Sequence, residues 1–168
     1  MATSPNDWIV LELSDLRIFE QPILFMSEPG YWNPDESELQ NLSRYLEQGG
    51  MLVLDDFRGT GEWIHVQALL HQILPERSLQ DLTLEDGPFN ALFPLESVDI
   101  PTPYDVPGTP VVRGIKNDAG CLMVVAFFNT DLGDFWEWSG RLADSPNAEM
   151  FRLSLEIGAN TVATALLR

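Results

Sequence analysis

A chain of 168 residues, 45% of them hydrophobic, suits one domain with a full core, since a domain of this size buries roughly 70% of the surface its unfolded chain exposes. Nine basic residues against 26 acidic give a net charge of −17, and Lys116 is the only lysine. That balance excludes the basic footprint a nucleic-acid phosphate backbone requires and disfavours anionic membrane surfaces. The single cysteine, Cys121, excludes an internal disulfide.

The first residues, MATSPNDW, lack the basic and apolar regions of a signal peptide. The chain enters strand-like sequence at once, as a chain trimmed at its amino terminus would, so cytoplasmic and exported locations both stay open. The longest uncharged apolar run, Cys121 to Thr130, falls short of the roughly 20 residues a membrane span needs, and a soluble protein is expected.

Trp8 to Leu13 (WIVLEL) and Ile23 to Met26 (ILFM) read as strands, with one helical turn around Asp15 to Phe19 between them. Asn33-Pro34-Asp35-Glu36 predicts a capped helix start, with Asn33 as the cap. Leu39, Leu42 and Leu46 keep one face of that helix apolar, and Gly49-Gly50 stops it. Met51 to Leu54 reads as a strand buried on both faces. Glu62 to Leu74 reads as a helix, and Leu79 to Asp86 as a half-exposed strand near an edge.

Six prolines between Gly87 and Pro110 exclude long regular structure there. The segment reads as a lid over a site or as a surface wrap. Val111 to Ile115 and Leu122 to Phe128 flank an Asn117-Asp118-Ala119-Gly120 hairpin turn. A last helix, capped by Asp144 or Ser145, runs to about Leu167 with Phe151, Leu155, Gly158, Val162 and Leu166 at helical spacing. This order predicts one α/β domain, a three-layer sandwich around a mostly parallel sheet.

Ligands of open parallel sheets bind beyond the carboxyl ends of the strands. Two segments leave the sheet there: Asp55-Asp56-Phe57-Arg58, and Asn129 to Glu137. They would gather Asp55, Asp56, Asp131, Asp134 and Glu137 at one crevice, with Arg58 as counter-ion. Carboxylates so gathered repel unless a proton, an arginine or a metal relieves them. If a metal sits there, Asp55, Asp56, Asp131 and Asp134 would hold a hard divalent cation such as Mg²⁺ or Ca²⁺. Asp-Asp after a strand is equally common turn chemistry.

His65 is the histidine placed nearer the crevice, and His65 and His71 cannot form a two-histidine metal pair on their helix. Trp63 and Trp136 would either wall a pocket or close the core. Cys121 opens a strand with no elbow or base in view and reads as a core residue.

LSRYLEQGGMLVLDD (Leu42 to Asp56) with Trp63 and Pro75, followed by Asn129-Thr-Asp-Leu-Gly-Asp-Phe-Trp-Glu137 and Gly158-Ala-Asn160, resembles the domain of unknown function 4159 family. The resemblance implies a glutamine amidotransferase-like, flavodoxin-like fold. It implies no reaction, since the cysteine, histidine and glutamate of related amidotransferases have no counterpart, and Cys121 does not match that cysteine. Where that family often has Asp-His-Pro, this chain has Asp86-Gly87-Pro88.

The expected function is therefore a triad-less module that binds a small molecule or a protein at the crevice. The alternative is a metal-assisted hydrolase using the aspartates.

Overall fold

A computed structural model describes residues 9–103, 108–138 and 148–167. Its elements are β1 (Ile23–Ser27), α1 (Glu36–Glu47), β2 (Met51–Phe57), α2 (Gly59–Ile73), β3 (Gln80–Asp81), α3 (Gly87–Asn90), β4 (Val111–Lys116), β5 (Leu122–Phe128), α4 (Leu132–Trp138) and α5 (Ala148–Leu166). Asp15 caps a short 3-10 turn, Leu16–Glu20, where the sequence predicts one helical turn.

The five strands form one sheet in the order β1-β2-β5-β4-β3. β1 with β2 and β2 with β5 are parallel, whereas β5 with β4 and β4 with β3 are antiparallel. The fold is α/β and the sheet is mixed, where the sequence predicts a mostly parallel one. The short turn after β4 forces an antiparallel neighbour, because a parallel pairing needs a crossover of a dozen or more residues.

Helices cover both faces. Leu52 and Leu54 of β2 join Leu42, Leu46, Val66 and Leu70 of α1 and α2 in one core. Met51 and Val53 point the other way and join Phe89, Phe135, Phe151 and Ile157 of α3, α4 and α5. A run without alternation is what a strand covered on both sides requires.

Four expectations are corrected. Of the predicted strand Trp8 to Leu13, Trp8 lies outside the described residues and Ile9 to Leu13 are not in the sheet. Leu11 packs on the first core and Leu13 is buried. The Leu13 carbonyl accepts from Asn41 Nδ2 at 3.1 Å, so packing and side-chain bonding hold this stretch. The cap of α1 is Asp35: its carboxylate accepts from the Glu38 amide at 2.9 Å while Glu38 Oε2 accepts from the Asp35 amide at 3.0 Å. This reciprocal capping box satisfies two orphan amides, which Asn33 does not.

The strand predicted over Leu79 to Asp86 shrinks to Gln80–Asp81. Asp86 instead folds the chain back, accepting from the Thr83 amide at 2.8 Å. On α5 the buried face carries Phe151, Ser154, Ile157, Asn160 and Thr161, while Leu155, Val162 and Leu166 are exposed. Its proposed caps, Asp144 and Ser145, lie outside the described residues.

Asn160 explains that face. Its Oδ1 accepts from the Leu92 and Phe93 amides, both at 2.8 Å, and its Nδ2 donates to the Pro88 and Phe93 carbonyls at 3.2 and 2.8 Å. Residues 88–93 of the proline-rich segment are thereby wrapped onto α5, and a four-way polar anchor outranks an apolar stripe in orienting the helix.

Candidate functional site at the carboxyl ends of β1, β2 and β5

Each parallel strand reaches this lip through a left-handed residue: Glu28 (φ 53) after β1, Asp56 (φ 56) within β2 and Asn129 (φ 57) after β5. Asn and Asp tolerate that region better than most side chains. Three such residues at three neighbouring strand ends are strain of the kind held at functional sites. The β2–β5 register shifts between Leu54 and Phe57, which re-aims Asp55 and Asp56.

Asp55 points into the protein and is fully buried. Its Oδ1 accepts from the Leu132 amide at 3.2 Å and its Oδ2 from the Gly133 amide at 2.8 Å, so it holds the first turn of α4. Burial raises its pKa from 3.8 to about 6 against those two bonds, and the charge of Asp131 adds to the rise.

Asp56, Arg58, Asp131 and Asp134 meet above it. The Arg58 guanidinium pairs with Asp56 and lies 3.8 Å from Asp131 Oδ2. Asp131 Oδ1 accepts from the Asp134 amide at 2.9 Å. Burial, then the Asp131 charge, raises the Asp56 pKa, with Arg58 opposing. Asp134 is raised by burial and then by Asp56, again opposed by Arg58. Among the described residues, Arg58 therefore serves three carboxylates.

Asn129 braces the lip. Its Oδ1 accepts from the Gly59 amide at 3.0 Å, and its Nδ2 donates to the Thr109 carbonyl at 3.2 Å. The remaining predicted residues lie elsewhere. His65 donates its Nε2–H to the Trp32 carbonyl at 2.7 Å. Trp63 stacks on Phe57 at 6.0 Å and packs tilted against Phe128 at 4.7 Å, with Arg113 5.0 Å over its ring. Trp136 donates from Nε1 to the Ser154 carbonyl at 3.0 Å and packs on Phe25, so it closes the seam between α4 and α5. Glu137 is exposed on α4.

The four-aspartate metal set is not assembled. Both Asp55 oxygens are taken by backbone amides, and among the described residues no group of three or more His, Cys, Asp or Glu is arranged to hold a metal ion. Cys121 precedes β5 at its amino end, which a strand rise of about 3.3 Å per residue puts roughly 20 Å from the lip. Glu28, which no spacing signal singles out, is the lip residue the sequence does not reveal. Its amide donates to the Asp55 carbonyl at 3.1 Å.

The family model for Domain of unknown function (DUF4159) matches residues 1–166. The chain belongs to the DUF4159 family. No curated protein matches the sequence. The two strand-end segments that carry the resemblance, ending in Asp55-Asp56 and running from Asn129 to Glu137, meet at the lip of this DUF4159 domain. Among its described residues no helix is long and apolar enough to cross a membrane.

Proposed function

We propose that this DUF4159 chain is a flavodoxin-like, glutamine amidotransferase-like domain that binds rather than turns over its ligand. Its site is the lip formed by Asp56, Arg58, Asp131 and Asp134, and its ligand is a small molecule or protein segment bearing a positive charge. The observation that carries this reading is the set of three carboxylates sharing Arg58 directly above the buried Asp55. A cationic group placed there relieves repulsion that Arg58 leaves in part, and binding draws the raised carboxyl pKa values down.

Among the described residues, neither Cys121 nor His65 supplies a nucleophile or a base at the lip. Cys121 is at the far end of β5, and the Nε2 of His65 is engaged by Trp32. A metal-assisted hydrolase finds no support in the orientation of Asp55, whose oxygens face the α4 backbone.

The test is an amide NMR titration with acetyl-Arg-Gly-Lys-amide and with its Glu-Gly-Glu counterpart. Shifts at Asp56, Gly59 and Thr130 to Asp134 with the basic peptide alone are expected. Asp56→Asn combined with Asp134→Asn should weaken binding about tenfold. Glutamine turnover that disappears in Cys121→Ala would overturn the reading.

A further inference from the structure

The two edges of the sheet are built differently. The far edge is β3, two residues long, with its exposed Asp81 paired to Arg113 at 2.6 Å. A short, charged edge resists pairing with other strands. The near edge, β1, is five residues with the sequence ILFMS and no charge.

Among the described residues β1 pairs with β2 alone. The Pro22 carbonyl accepts from the Met51 amide, and the Glu28 amide donates to Asp55, so even-numbered positions face β2. The backbone groups of Ile23, Phe25 and Ser27 therefore face away from β2, since successive residues of a strand alternate. Beside them runs a groove of about 540 Å³ lined by Ile9, Val10, Leu11, Leu24, Phe25 and Met26. Val10 is 81% exposed, Ile9 55% and Phe25 48%.

We propose that the β1 edge takes an extended segment of another protein as an added strand. Charge states what that segment is. Exposed Glu20 and Glu28 bracket β1, Glu12 lies in the stretch beside the groove, and the chain as a whole carries −17. The fitting occupant is apolar at alternate positions and basic at both ends. A second copy fits poorly: paired antiparallel about Phe25, it sets Glu28 of each copy opposite Pro22 of the other, two positions from its Glu20. Backbone pairing supplies the affinity and the groove selects the side chains.

The test uses acetyl-Lys-Lys-Val-Thr-Val-Thr-Val-Lys-Lys-amide and the same peptide with glutamates at its ends. With the lysine peptide, exchange at the Ile23, Phe25 and Ser27 amides should slow about tenfold, and the glutamate peptide should bind at least about tenfold more weakly. Glu20→Lys with Glu28→Lys should invert that preference, and Phe25→Lys should weaken the lysine peptide. Unchanged exchange at those three amides would overturn the proposal. So would their protection at high protein concentration without peptide, which would make the occupant a second copy.

Discussion

Two seams of this molecule are each held by one buried polar residue, and they solve the same problem in opposite ways. Asn160 joins α5 to the segment after α3 with a neutral amide whose four hydrogen bonds use both its oxygen and its nitrogen. Asp55 joins β2 to α4 with a carboxyl that accepts two amides yet is displaced to about 6 by burial. The neutral anchor is complete in itself. The charged one leaves an electrostatic load at the place where three further carboxylates and an arginine face outward. A seam that needed only holding together would be better served by the first arrangement.

Removing the neutral anchor should do the greatest damage. Asn160→Leu strands the Leu92 and Phe93 amides and the Pro88 and Phe93 carbonyls, and a loss of roughly 4 kcal/mol is expected in chemical denaturation. The loss should be the same at pH 5 and pH 7.5, because no proton is involved.

The charged anchor should reveal itself through pH. A carboxyl whose folded pKa is raised from 3.8 to about 6 binds its proton more tightly when folded. Its contribution to stability is therefore greatest below pH 4 and declines as pH rises toward 6, by about 3 kcal/mol. Wild type should thus lose that much of its advantage over Asp55→Asn between pH 4 and pH 7, measured by urea denaturation of both. A difference that stays flat across this window would make Asp55 no different in kind from Asn160.

Smaller effects sharpen the contrast. Arg58→Met leaves Asp56 and Asp131 without their shared cation, costing about 1–2 kcal/mol at pH 7.5 and lifting the Asp56 and Asp134 titrations further. Among the described residues Ser154 Oγ is buried with no hydrogen-bond partner. Ser154→Ala should therefore stabilise the protein by up to about 1 kcal/mol, read as a raised thermal midpoint.

Much of this was legible from residue pattern alone. ILFM, MLVL and LMVVAFF are buried or half-buried strands, Gly49-Gly50 ends α1, and the Asn117 to Gly120 turn makes the hairpin. Local chemistry decides those features. The convergence of Asp56, Arg58, Asp131 and Asp134 also followed, because strand polarity puts both segments at one end of the sheet. What stayed hidden depends on tertiary bonds. WIVLEL has strand composition but no partner strand among the described residues, and α5 turns on Asn160 rather than on its leucines. Asp55 and Asp56 are adjacent in sequence, yet the bulge in β2 sends one inward to α4 and the other outward to Arg58.

A carbon-13 titration of the aspartate carboxyls, with and without the Arg-Gly-Lys peptide, separates the inward role of Asp55 from the outward role of Asp56. Asp55 should titrate near 6 in both cases, while Asp56 and Asp134 should titrate above the usual carboxylate range and fall when the peptide is added. An Asp55 midpoint in the ordinary range, or one that falls with the peptide as far as that of Asp56, would contradict that separation.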